Sequence, residues 1–142
     1  MAQVATYLLD TNAISHIMCN TDGAVARRYR QRLQSPEPCQ MVTSVVVQCE
    51  MAFGLLKRPS ARLQAVYDIQ MRQLPVLPLD ADIAAHYAQL RVALERAGTP
   101  IGANDALIAA HALALGATLV TDDSEFLRVP GLQVENWLQL TP

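Results

Sequence analysis

This chain has little from which to build disulfides: its three cysteines, Cys19, Cys39 and Cys49, include no close pair and no zinc-like spacing. That excludes a disulfide framework and a zinc ribbon, and points to a reducing, cytoplasmic setting. Aromatics are only 5% of the residues, so Phe126 and Trp137 are expected in the core rather than on a base-stacking surface. Lys57 is the only lysine among 11 Lys and Arg residues. The opening, MAQVATYLLDTNAIS, has no basic segment and meets Asp10 early, so no signal peptide is expected. The longest uncharged stretch, Ala106 to Thr121, is too short to span a bilayer and is interrupted by His111 and Gly116. Charged residues make up 17% of the chain against 51% hydrophobic, which excludes a disordered chain. No linker or repeat divides the 142 residues, so a single domain over 1–142 is expected.

Strand and helix signals alternate along this unit. Ala5 to Leu9 reads as a short apolar strand ending in a turn at Asp10-Thr11-Asn12. Asp22 is placed to cap a helix carrying Arg27, Arg28, Arg30 and Arg32, closed by Ser35-Pro36. Met41-Val42 is a second strand, and Ser44 caps a helix through Glu50 toward Pro59. Another helix covers Ala61 to Arg72, and Pro75 to Leu79 is extended. The clearest helix is Ala81 to Ala97, with Ile83, Tyr87, Leu90 and Leu94 on one face and Gly98 as a stop. A helix from Asn104 to Leu115 ends at Gly116. Strands follow at Thr118 to Val120 and near Gln133 to Glu135, with Thr121-Asp122-Asp123 and a short turn of helix between them. This alternation predicts an α/β layer fold around a central, mainly parallel sheet flanked by helices.

In such sheets, ligands bind beyond the carboxyl ends of the strands. Asp10 follows the first strand, Glu50 lies on the helix after the second, and Asp105 is in the first turn of the helix at Asn104. Asp122 and Asp123 follow the strand at Thr118. Singly, Asp10, Asp105 and Asp123 have an ordinary alternative as caps or first-turn acids. Glu50 lies in an otherwise uncharged helix, where a half-buried carboxylate needs a partner, either an arginine or a cation. Carboxylates gathered at one sheet edge repel unless a cation sits among them, and an oxygen-only set suits Mg²⁺ or Mn²⁺. With four of the 13 acids assigned to a site, nine remain against 11 cations, a mildly basic remainder that permits an RNA partner.

The segments YLLDTNAIS, SVVVQCEMAFG, GTPIGANDALIAAHALALGATLVTDDSEF and VPGLQVENW resemble the PIN-domain family, and within it the VapC-type toxins of bacterial type II toxin–antitoxin systems. The likeness runs from residue 7 to 137 and is weak over 57 to 79. It implies a three-layer fold and a Mg²⁺-dependent endoribonuclease (Mn²⁺ as alternative) whose metal-binding and catalytic acids fall on Asp10, Glu50, Asp105 and Asp123. The T-x-D-x-x-F spacing selects Asp123. Many relatives have asparagine here, and Asp122 is the competing position, otherwise left toward solvent or as a cap for the Ser124-Glu125-Phe126 turn. The resemblance further implies 5′-phosphate and 3′-hydroxyl products, an RNA substrate that includes tRNA among its candidates, a homodimer, and an antitoxin whose amphipathic C-terminal segment covers the acidic site. The helix from Asp22 to Gln34 and the Glu50 helix are the candidate walls of its groove. A non-catalytic PIN-like module is the alternative. A receiver-like module is disfavoured because it needs a lysine after a late strand.

The remaining polar candidates are set aside. His111 lies six residues past Asp105, about 240° around a helix, and should face away from the acids as a packed or interface histidine. His86 flanks the Ile83/Tyr87 stripe, and His16 has no evident partner. Arg28 and Arg32, with Tyr29 between, are equally an RNA-phosphate contact and a solvated face. Thr11 and Asn12 either orient ligands or form a cap and turn. Cys49 reads as a small buried residue.

Overall fold

The computed structural model describes residues 4–139. Their order is β1 (Ala5–Leu9), α1 (Thr11–Cys19), α2 (Ala24–Gln34), β2 (Cys39–Ser44), α3 (Val45–Lys57), α4 (Ala61–Gln73), β3 (Val76–Leu77), α5 (Ile83–Arg96), α6 (Ala103–Leu115), β4 (Thr118–Val120), a 3-10 helix (Ser124–Arg128) and β5 (Gln133–Glu135). The strands form one sheet in the order β3-β2-β1-β4-β5, and every pairing is parallel. Leu8, Leu9, Leu119 and Val120 are buried, as strands covered on both faces require. The α/β fold around a parallel sheet is as expected.

The strand order positions the site. From β1 the chain builds outward through β2 to β3, then crosses back to β4 on the other edge of β1. β1 and β4 therefore flank the point where the order reverses, with Leu9 opposite Val120. Connections leaving two such strands diverge and open a crevice beyond their carboxyl ends. Asp10 stands just past β1, its N–H bonded to the Val120 carbonyl at 3.0 Å, and Thr121 to Asp123 stand just past β4.

Three local expectations need correction. The segment after Asp10 is not a turn but the start of α1, whose buried Ala13, Ile14, Ile17 and Met18 repeat at helical spacing. Asp10 occupies the cap position without a side-chain cap bond to the helix, because its carboxylate is turned into the site. Gly23, not Asp22, caps α2, through an extended backbone and no side-chain bond. Cys49 is exposed rather than buried. α3 buries Val46, Val47 and Met51 and turns Cys49, Ala52 and Phe53 outward, so its lack of charge does not mean burial all round. By contrast, Ser44 caps α3 by accepting from the Val46 N–H, and Phe126 and Trp137 are core residues, as expected.

Candidate active site

Asp10 is the most buried acid, only 5% exposed. Its Oδ2 accepts from the Thr121 hydroxyl at 2.9 Å and from the Asn12 amide at 3.2 Å. The same Asn12 amide donates to Thr121 Oγ1 at 2.9 Å, and its Oδ1 accepts from the Asp122 N–H at 3.0 Å. Asn12 thus ties Asp10 to the loop after β4, which is an orienting role rather than a simple turn. Thr11 donates its hydroxyl to Glu50 Oε1 at 2.9 Å, so α1 and α3 meet at the site.

The loop after β4 divides its two aspartates. Asp123 accepts from the Glu125 N–H at 2.9 Å, capping the 3-10 helix, and its own N–H reaches Thr121 Oγ1 at 3.1 Å. One carboxylate oxygen from each of Asp105, Asp123 and Glu125 can be chosen so that all three lie within 4.8 Å of one another. Asp122 points elsewhere, to His16 Nε2 at 2.9 Å. Asp122 is therefore not the cap of that turn, and His16 does have a partner. Glu125 was missed in the sequence. Its signal was the third acid in Asp122-Asp123-Ser124-Glu125, which a 3-10 turn folds back toward Asp123.

The charges feel one another. Asp105 is pushed up to about 6 by burial and then by the charges of Asp10, Asp123, Glu50 and Glu125. Burial also raises Asp10; the Thr11 N–H and the Thr121 hydroxyl oppose the shift, while Glu50 and Asp123 add to it. Acids from four separated stretches of chain, around residues 10, 50, 105 and 123, therefore share one locale. Among the described residues, no Lys or Arg pairs with any of them. The arginine alternative for Glu50 is not realised.

The other candidates fall away from this centre. His111 is buried against Ser44, with Nδ1 to Oγ at 2.8 Å, and burial lowers its pKa. Tyr29 is buried, and Arg32 lies over the Tyr7 ring at 5.4 Å and 3.5 Å from Glu135, so Arg32 is already engaged within the fold.

Comparison with known families gives a match to the PIN domain over residues 7–132, a span that contains all these acids. The chain belongs to the PIN-domain family. A relative of this PIN domain named tRNA(fMet)-specific endonuclease VapC, from Salmonella typhimurium, is 33% identical over 134 residues, covering 92% of this chain and 97% of the relative. Ribonuclease VapC2 of Rickettsia felis is 41% identical over 96 residues, 66% of this chain and 72% of that one. Among solved structures, VapBC2 from Rickettsia felis bound to a promoter DNA fragment aligns with a TM-score of 0.83 at 32% identity, covering 93% of this chain and 98% of that one. VapBC-1 from nontypeable Haemophilus influenzae aligns at 0.81 and 31%, covering 94% and 99%. The PIN domain here thus matches toxin–antitoxin proteins along nearly its whole length.

Proposed function

We propose that this PIN domain is a divalent-metal-dependent endoribonuclease that acts as the toxin of a type II toxin–antitoxin pair in the cytoplasm. The observation that carries the reading is the gathering of Asp10, Glu50, Asp105 and Asp123 at the sheet's switch point with no protein cation among the described residues to neutralise them. Nearly full-length similarity to proteins named ribonuclease and endonuclease supports it. An all-carboxylate oxygen set of this kind fits a hard cation, Mg²⁺ with Mn²⁺ as substitute. In this reading Asp10 and Asp105 are the primary ligands and Glu50 and Asp123 complete the set, with Glu125, beside Asp105 and Asp123, placed to join it.

When bound, the cation offsets charge on the reacting phosphate and favours ionisation of the attacking water. Thr121 and Asn12 hold Asp10, and Thr11 holds Glu50, so the carboxylates keep their positions despite repulsion. Glu50 or Asp123 takes the proton from the attacking water. The substrate is RNA, with tRNA a candidate class, because a relative matched over 92% of this chain is named for tRNA(fMet).

The domain is a homodimer held by an antitoxin. α3 and α4 border an open groove of about 500 Å³ lined by Ala52, Leu55, Leu56, Pro59 and Tyr67. Phe53 and Leu56, 66% and 82% exposed, stand on α3. An amphipathic antitoxin segment would cover this apolar strip, which makes α3 and α4 the proposed walls of its groove. Co-expression with the neighbouring gene's product tests the pairing, and sedimentation at micromolar concentration tests the dimer. Loss of co-purification, or a monomer, overturns the respective claim.

A further inference from the structure

Burying a polar side chain costs free energy unless it is hydrogen-bonded, so buried polar groups report where a fold needs rigidity. Among the described residues, those buried are Asp10, Thr43, Ser44, His111 and Thr121. Asp10 and Thr121 belong to the acidic site. Thr43, Ser44 and His111 make no hydrogen bond to its acids, and nothing in the proposed chemistry uses them.

Their bonds join the elements that carry the acids. Thr43 donates its hydroxyl to the carbonyl of Leu9, the residue before Asp10, at 2.7 Å. Ser44 ends β2 and caps α3, the helix bearing Glu50. Its Oγ accepts from the Val46 N–H at 3.1 Å and lies 2.8 Å from Nδ1 of His111, on α6, the helix bearing Asp105. Ser44 Oγ has a second lone pair beside the one facing Val46, so the bond forms with either tautomer, as Ser44 donating to Nδ1 or as Nδ1–H donating to Oγ. We propose that the Ser44–His111 hydrogen bond is a buried clasp that fixes α3 against α6, making His111 a positioning residue for the Glu50 and Asp105 carboxylates.

The clasp rests on the metal-site reading above. Glu50 and Asp105 repel each other, so helices tied only by apolar contacts can relax apart; a directional bond between their scaffolds resists that. His111→Leu removes the ring nitrogen, whereas His111→Asn places an amide, which can accept or donate, near the position of Nδ1. Ser44→Gly removes the hydroxyl but keeps a residue tolerated at a helix cap.

Mn²⁺ affinity by isothermal titration, on protein shown to be folded by circular dichroism, decides the matter. His111→Leu and Ser44→Gly should each lower affinity roughly tenfold or more, while His111→Asn stays within about threefold of wild type. A merely structural histidine would lower the melting temperature of His111→Leu and leave Mn²⁺ affinity of the folded protein unchanged, which overturns the clasp. If His111→Leu does not fold, Ser44→Gly carries the same test, and wild-type affinity in it overturns the proposal. Absence of Mn²⁺ binding by the wild type would instead overturn the metal-site reading itself, and the clasp with it.

Discussion

Asp105 illustrates how a single residue carries the cost of the site. Burial and four like charges raise it to about 6, so between roughly pH 4 and 6 the folded chain keeps a proton that the unfolded chain has lost. The stability tied to that proton is present at low pH and is lost as pH rises through about 6. Without metal, Asp105→Asn should therefore gain stability relative to wild type above pH 6, and the gain should shrink toward pH 4. Mg²⁺ should raise the wild-type melting temperature more at pH 7.5 than at pH 5. Thermal unfolding of both proteins across this range, with and without Mg²⁺, checks the sign. The two aspartates after β4 make a sharper pair. Asp123→Asn keeps a good cap and loses the charge, so cleavage should fall steeply, though less than for Asp10→Asn. Asp122→Asn alters only a part-exposed pair with His16 and should cost about 0–1 kcal/mol with cleavage retained. The reverse ranking in a cleavage assay would place the site one residue earlier.

Elements with a clean period and clear ends were legible in the sequence; those shaped by the site were not. α5 and α6 end where Gly98 and Gly116 say they should, and Ser44 caps α3. α1 was missed because its first residues, Asp10-Thr11-Asn12, look like a turn, and Asp10 spends its side chain on Thr121 and Asn12 instead of marking a helix start. The short helical turn after Asp123 was legible, but Glu125 was missed because the turn's presence does not say that it brings this acid beside Asp105 and Asp123. The acids themselves were found through their places after strands and in first turns, but that they share one locale follows from strand order, which the sequence does not state. Gly116 gives a prediction at this scale. It closes α6 at φ +63, where a side chain is strained, so Gly116→Ala should destabilise the fold by about 1 kcal/mol in urea unfolding. Wild-type stability would contradict the cap.

Over the whole molecule, the proposed function divides between two surfaces: an acidic crevice at the switch point and an apolar strip on α3 and α4. Leu56→Glu should abolish antitoxin capture, read by co-purification, while the free protein still cuts RNA. Retained capture would move the antitoxin groove elsewhere. Mean hydropathy of +0.16 in so short a chain is consistent with apolar surface left for partners. The proposed function depends on the crevice being a metal-dependent nuclease site, and one measurement tests that most directly: cleavage of RNA by purified protein with Mg²⁺ or Mn²⁺, with EDTA, and with Asp10→Asn and Asp105→Asn in place of wild type. The account predicts cutting that requires the divalent ion, stops in EDTA, and is lost in both variants. Undiminished cutting in EDTA or by Asp10→Asn, or no cutting of any RNA class by the antitoxin-free wild type, would contradict it.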